Sequence, residues 1–259
     1  MGRAKIVVEG VGFHYQGRRH SLEALREVNF SCYEREIIAI VGPSGCGKST
    51  LLSIISGLKT PTSGRVLVDD LLVTEPPAGI GVIFQKSTLL PWRSVRENVE
   101  LGLEIRGVPP GERRGIALEL IKKYGLSGFD RKYPHALSGG MQKRVALIQT
   151  LAFNPDILLL DEAFASLDAQ TRLLVEDEFV RISREMGKTV VMVTHDISEA
   201  ISMADRVIVL SARPGRVKAD HKIYFEKERN SVLEVPSLPE YSQYFRTIWE
   251  ELEVSGISF

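Results

Sequence analysis

The strongest constraint on this chain is the stretch Gly42-Pro43-Ser44-Gly45-Cys46-Gly47-Lys48-Ser49-Thr50. An apolar run, Ile37-Ile38-Ala39-Ile40-Val41, precedes it and has the composition of a buried strand. Leu51-Leu52-Ser53-Ile54-Ile55 follows and continues a helix predicted over 49–57. Gly-x-x-x-x-Gly-Lys-Ser/Thr between a strand and a helix is a phosphate-binding loop. Its glycines let the backbone curl until several N–H groups converge on one anion. The helix N-terminus adds unpaired N–H groups and the positive end of its dipole. Lys48 has the reach for the β- and γ-phosphates, and Ser49 can place its hydroxyl on Mg²⁺. A nucleoside triphosphate is therefore the expected ligand.

Phosphoryl transfer also needs acids, and Ile157-Leu158-Leu159-Leu160-Asp161-Glu162 is an apolar strand that ends in two. At the carboxyl edge of a parallel sheet that end faces the ligand crevice. Asp161 can hold Mg²⁺, and Glu162 can orient and polarise an attacking water. Thr189-Val190-Val191-Met192-Val193 and Arg206-Val207-Ile208-Val209-Leu210 are further buried-strand runs, with a charged helix predicted over 169–186. Strands alternating with helices at this spacing predict an α/β fold with a parallel sheet.

Ahead of the phosphate loop, residues 5–11 and 24–32 read as strands, with Tyr15 in a loop between them. From about 86 to 150 helical spacing takes over, as in Ala117, Leu118, Leu120, Ile121 and Tyr124. The expected organisation is a nucleotide-binding core of 1–85 and 155–217, with an antiparallel N-terminal β subdomain. A helical subdomain, 86–154, is inserted into it, and a tail of 218–259 carries an amphipathic helix near 240–253.

The 259 residues carry 33 Lys plus Arg and 33 Asp plus Glu. That balance argues against a nucleic-acid binder that works by bulk electrostatic attraction. Cys46 lies inside the phosphate loop, where a disulfide to Cys32 would hinder it, so reduced thiols and a cytosolic setting are expected. The opening residues lack an apolar signal core, and no run has the length of a membrane span, so membrane association is expected only through a partner.

Leu137-Ser138-Gly139-Gly140-Met141-Gln142-Lys143-Arg144 is the most telling stretch. Taken alone, it is a capped helix start with Ser138 as N-cap. Beside the phosphate loop it is a second anion-binding helix N-terminus, and one nucleotide does not need two cradles in one subunit. Here the chain resembles the ATP-binding subunit of an ABC transporter, with Leu-Ser-Gly-Gly-Met-Gln in the place of the signature motif. The resemblance spans about 5–215. It implies that Tyr15 stacks on adenine and that Gln85 contacts Mg²⁺ and the water while relaying to the membrane domain. It implies that Asp168, in Ala165-Ser166-Leu167-Asp168, belongs to a loop crossing a dimer interface, and that His195 is a switch histidine touching the γ-phosphate. It implies two ATPase subunits, as a homodimer or heterodimer. Each ATP would lie between the phosphate loop of one and Ser138-Gly139-Gly140 of the other.

Gln85 to Trp92, Asp161 to Arg172 and Leu210 to Val217 resemble the nitrate, sulfonate and taurine importer group. That likeness implies integral membrane permease subunits, an extracytoplasmic solute-binding protein, no nucleic acid, and a place on the cytoplasmic face of the membrane. Leu89, Leu90 and Trp92 either receive a permease helix or fill the local core. An ABC ATPase acting on nucleic acid or ribosomes is the alternative; such proteins usually fuse two cassettes or insert coiled coils or zinc sites, and none is seen here. A small-molecule kinase would share the phosphate loop but not the signature stretch. The chain departs from the family pattern at Arg35 (usually glycine), Ala163 (usually proline) and Lys143 (often glutamine).

Overall fold

The computed structural model describes residues 2–17, 21–85, 88–227, 229 and 231–252. Lys86 and Ser87 of the importer-like stretch and 253–259 of the tail lie outside the described residues. Two sheets carry the fold. In the first, β1 (Ala4–Gln16) and β2 (Ser21–Tyr33) form a long antiparallel hairpin, and β4 (Ser63–Val68) and β5 (Leu71–Leu72) extend it in the order β2-β1-β4-β5. The second, in the order β10-β9-β3-β8-β7-β6, contains β3 (Ile37–Val41), β6 (Ile80–Ile83), β7 (Ile157–Asp161), β8 (Thr189–Val193), β9 (Arg206–Leu210) and β10 (Val217–Lys222). All its pairings are parallel except that of β10 with β9.

The apolar runs behave as parallel strands buried on both faces should. Successive residues of β3 go to opposite sides, as the period of two requires. Ile38 and Ile40 pack towards the first sheet and α1 (Lys48–Ile55), with Val8, Val11 and Ile54. Ile37, Ala39 and Val41 pack the other way, in a cluster with Leu158, Leu160 and Val207. Ile40 is wholly buried, and cutting it to alanine would cost about 2–5 kcal/mol. Helices α2 (Val95–Ile105), α3 (Pro110–Lys123) and α4 (Gly139–Ala152) pack on one another. Ser94 and Glu97 form a reciprocal capping box that starts α2. Beyond β7 come α5 (Ala169–Glu185) and α6 (Ile197–Met203), and α7 (Tyr241–Leu252) returns to α6, where Tyr241 donates its hydroxyl to Ser198 Oγ at 2.8 Å. Among the described residues, no helix is long and apolar enough to cross a membrane.

One local expectation is corrected, and one open alternative is decided. Tyr15 lies on a strand rather than in a loop: His14, Tyr15 and Gln16 look loop-like in composition, but they pair with Glu23, Leu22 and Ser21 and lengthen the hairpin. Leu89 does not belong to an exposed patch. It is buried, because the buried Asn98 side chain pins the following segment, accepting from Leu90 N at 2.7 Å and donating to the Leu90, Arg93 and Ser94 carbonyls. Trp92 remains exposed. Arg35 takes φ +63° in the turn before β3, a left-handed geometry in which glycine carries no penalty.

Candidate nucleotide site

The carboxyl ends of the parallel strands converge. β3 runs into the phosphate loop, β6 ends near Gln85, β7 ends in Asp161 and Glu162, and β8 is followed by Thr194 and His195. The register keeps these ends level, with Ile83 opposite Leu160, and Asp161 and Ile40 both opposite Val193. This is the edge at which open α/β sheets bind ligands.

The phosphate loop is tightly held. Gly45 and Gly47 have φ of +76° and +105°, and a Cβ on Gly47 would come within 2.7 Å of Leu25 Cδ2. A Cβ on Gly42 would meet Cys46 Sγ at 2.7 Å. Cys46 N donates to the Pro43 carbonyl at 3.2 Å, closing the curl. Cys46 and Cys32 are both free and buried, and burial pushes both thiols up. The buried Lys48 ammonium donates to the Gly42 carbonyl at 2.7 Å and the Pro43 carbonyl at 3.3 Å. A cation parked on two loop carbonyls can turn to an incoming phosphate without first being desolvated.

Ser49 Oγ donates to Asp161 Oδ1 at 2.8 Å. Burial raises the Asp161 carboxyl above its ordinary value, with the Ser49 hydrogen bond and Lys48 pulling against it. Gln85 Nε2 donates to Glu162 Oε2 at 3.0 Å, and His195 Nδ1 lies 3.5 Å from Glu162 Oε1. Glu162 holds φ +44°, rare for a residue with a side chain and typical of strained functional positions. Its N–H donates to the Val193 carbonyl at 3.0 Å, which fixes that turn. Tyr15 and Thr50 hydroxyls are 2.8 Å apart, so the ring is anchored to the first turn of α1. Tyr15, Ser44, Lys48, Ser49 and Glu162 line one cavity of about 300 Å³.

The structure thus brings together Tyr15, the phosphate loop from Gly42 through Thr50, Gln85, Asp161, Glu162 and His195. It does not bring Ser138, Gly139, Gly140 or Asp168 to that cavity. Ser138 and Gly139 are exposed at the start of α4, where Ser138 Oγ accepts from Met141 N at 3.3 Å, and a Cβ on Gly139 would meet nothing within 4 Å. Asp168 is exposed as the N-cap of α5 and accepts from Thr171 N at 3.0 Å. Two further residues bear on the site. Arg213 lines the cavity from the turn after β9, inside the importer-like Leu210 to Val217 stretch, which carries no site role in the sequence reading. Lys143 donates to the Phe84 carbonyl at 3.2 Å and to the Gln85 carbonyl. A lysine in the mainly apolar buried row of α4 is the available signal.

The hydroxyl, carboxylate and side-chain amide set of Ser49, Asp161 and Gln85 offers only hard oxygen donors, which fits a magnesium ion. The Ser49–Asp161 hydrogen bond already holds two of these groups together.

The family model described as ABC transporter matches residues 25–165. An uncharacterized ABC transporter ATP-binding protein of Methanocaldococcus jannaschii is 50% identical over 230 residues, covering 88% of this chain and 85% of that protein. A nitrate import ATP-binding protein of Synechocystis sp. is 41% identical over 234 residues, covering 89% of this chain and 88% of its own length. A taurine import ATP-binding protein of Yersinia pestis is 42% identical over 210 residues and covers 81% of each chain. A solved dimeric ATP-binding cassette in a post-hydrolysis state, bound to ADP and Pi, superposes with a TM-score of 0.75 at 36% identity, over 85% of this chain and 99% of its own. With its phosphate loop, acid pair and signature stretch set out on this fold, the chain belongs to the ABC transporter family as an ATP-binding, ATP-hydrolysing subunit.

Proposed function

We propose that this subunit energises uptake of a small solute, of the nitrate, sulfonate or taurine kind, by closing and opening as a dimer beneath a membrane permease. The observation that carries the reading is the solvent-facing second cradle. Ser138 and Gly139 stand exposed at a helix N-terminus, outside the cavity that contains Lys48. A cradle built for an anion and turned away from its own nucleotide suits a partner's nucleotide. Two solved cassettes of this shape are described as dimeric, and the relatives named above include import proteins.

In the closed pair, ATP lies between the Gly42–Thr50 loop of one subunit and Ser138, Gly139 and Gly140 of the other, with Asp168 at the seam. Tyr15 stacks on the adenine. Lys48 and the loop N–H groups stabilise charge on the phosphates as water attacks the γ-phosphorus in line. Glu162 orients that water and takes its proton. His195 and Gln85 hold Glu162 from two sides, as their contacts at 3.5 and 3.0 Å suggest. Ser49, Asp161 and Gln85 would hold Mg²⁺, which when bound neutralises charge on the phosphate oxygens. Loss of phosphate removes the charge that joins the subunits, and the dimer opens. The exposed Trp92, seven residues beyond Gln85, faces the permease, and the solute-binding protein acts on its far side.

The test is the mass of Glu162→Gln by light scattering. ATP, and not ADP, is expected to double it while turnover falls by a factor of about 10² or more. A variant that stays monomeric with ATP, or one that hydrolyses at the native rate, refutes the reading. Reconstitution with the permease then identifies the solute as the one that stimulates hydrolysis.

A further inference from the structure

The opening turn of α5 touches three functional segments at once. Thr171 and Arg172 are neighbours in sequence and point to different ones. Thr171 fills the space beside the signature loop: a Cβ added to Gly140 would lie 2.6 Å from Thr171 Cγ2. Its N–H is the one that Asp168 caps, so the same turn fixes the end of the Ala165–Asp168 loop. Arg172 faces the other way. Its Nη2 donates to the Leu167 carbonyl at 3.1 Å, and its Nη1 lies 3.6 Å from Asp196 Oδ2.

Asp196 is the residue after His195, and it is not free to follow a moving side chain. Its Oδ1 accepts from Ser198 N at 2.8 Å and from Glu199 N at 3.3 Å, which caps α6. Its N–H donates to Thr194 Oγ1 at 3.0 Å, and the buried Thr194 hydroxyl donates in turn to Glu199. The peptide units flanking His195 are thus bolted to the start of α6. What moves Asp196 moves His195.

We propose that Arg172 is a positioning residue for His195, and that the Thr171–Arg172 turn is the within-subunit link from the signature loop to the switch histidine. The inference rests on the shared-site reading above. There the signature loop meets the partner's ATP while His195 serves its own, so one turn of helix joins the two sites. Arg172 sets the distance between the Leu167 carbonyl, on the interface loop, and the Asp196 carboxylate, on the histidine loop. A guanidinium suits this task because its planar fork holds two acceptors in fixed relation. The link also has a second setting. Arg172 Nε and Glu176 Oε1 are buried without a hydrogen-bond partner among the described residues, one helical turn apart on the same helix. Turning the guanidinium towards Glu176 pairs both atoms and slackens the hold on Asp196.

The experiment compares Arg172→Gln, Asp196→Asn and their combination in the full chain. Asparagine caps helices as well as aspartate does, so Asp196→Asn keeps α6 and reports even if Arg172→Gln does not fold. Each single variant is expected to keep ADP affinity and the KM for ATP within about twofold while kcat falls about tenfold. The double variant should lose no more than either single, since both break one connection. Native-like kcat in Asp196→Asn, a matching rise in KM, or losses that multiply to about a hundredfold in the double variant overturn the link. The ATP-driven mass of Glu162→Gln is measured alongside. If that dimer forms and Asp196→Asn turns over normally, the link alone is wrong; if it does not form, the shared-site reading falls and the link falls with it.

Discussion

Lys143, on the helix that begins at the signature glycines, holds the backbone of Gln85. Its buried ammonium donates to the carbonyls of Phe84, at 3.2 Å, and Gln85, and the Gln85 side chain donates to Glu162 at 3.0 Å. The helical segment and the acid beside the phosphate loop are therefore two contacts apart. Burial lowers the Lys143 pKa, while the two carbonyl dipoles that converge on Nζ favour its charged form.

Lys143→Met fills the same space but leaves both carbonyls without that donor. The expected loss is about 1–3 kcal/mol of stability, measured by urea unfolding. The slackened Gln85 should lower kcat more than it raises the KM for ATP. Lys143→Gln, which restores a neutral donor, should recover most of both. A Met variant with native stability and turnover would show that the two carbonyls find other donors.

The proposed stacking by the Tyr15 ring can be separated from the anchoring by its hydroxyl. The hydroxyl meets Thr50 Oγ1 at 2.8 Å and fixes the ring against α1. Tyr15→Phe removes about 0.5–1.5 kcal/mol of anchoring and should weaken nucleotide binding only slightly. Tyr15→Ala removes the platform, and about 1–3 kcal/mol of base stacking with it. Fluorescence titration with a labelled ADP separates the two. Equal loss in both variants would mean that the ring is not a stacking surface.

What could be read from the sequence divides along physical lines. Strands such as Ile37–Val41 and Ile157–Asp161 are buried on both faces, so their composition alone announces them. The phosphate loop is legible because its glycines are demanded by backbone geometry, as the +105° φ of Gly47 shows. Tyr15 sits on a strand that local composition does not announce, because pairing with Leu22, a tertiary matter, outweighs the polar look of its neighbours. Leu89 takes the core alternative, and local sequence leaves that choice open because the following segment is held by the four hydrogen bonds of Asn98, which no local pattern reveals. Arg213 at the cavity, Arg172 near Asp196 and Lys143 on the Phe84 and Gln85 carbonyls all meet distant parts of the chain, and a single sequence has no period that records such contacts.

Ser49 Oγ donates to Asp161 Oδ1 at 2.8 Å, and both groups belong to the metal site proposed above. Asp161→Asn keeps an acceptor for Ser49 but removes the negative charge that attracts a divalent cation. The Mg²⁺ concentration for half-maximal hydrolysis should rise by about 10–100-fold, with nucleotide affinity in EDTA changed far less. An unaltered Mg²⁺ dependence would place the metal elsewhere.

Glu176 and Glu199 predict how stability follows pH. Burial pushes the Glu176 carboxyl up to about 8, with the charge of Glu199 adding, Arg172 opposing and Asp196 adding a little. Burial likewise raises Glu199 to about 7, against the opposing hydrogen bond from Thr194. In the unfolded chain both titrate near the ordinary 4.5. Below that value both states hold the protons and the pair contributes no slope. Between 4.5 and about 8 the folded chain keeps protons that the unfolded chain has released, so stability falls as pH rises. Glu176→Gln, a neutral side chain of the same shape, should flatten this decline. The variant's melting temperature should gain on the native one steadily from about pH 5 to about pH 8, because glutamine has no proton to lose on unfolding. A constant difference across that window would mean that Glu176 is charged in the folded protein, with Arg172 turned towards it rather than towards Asp196.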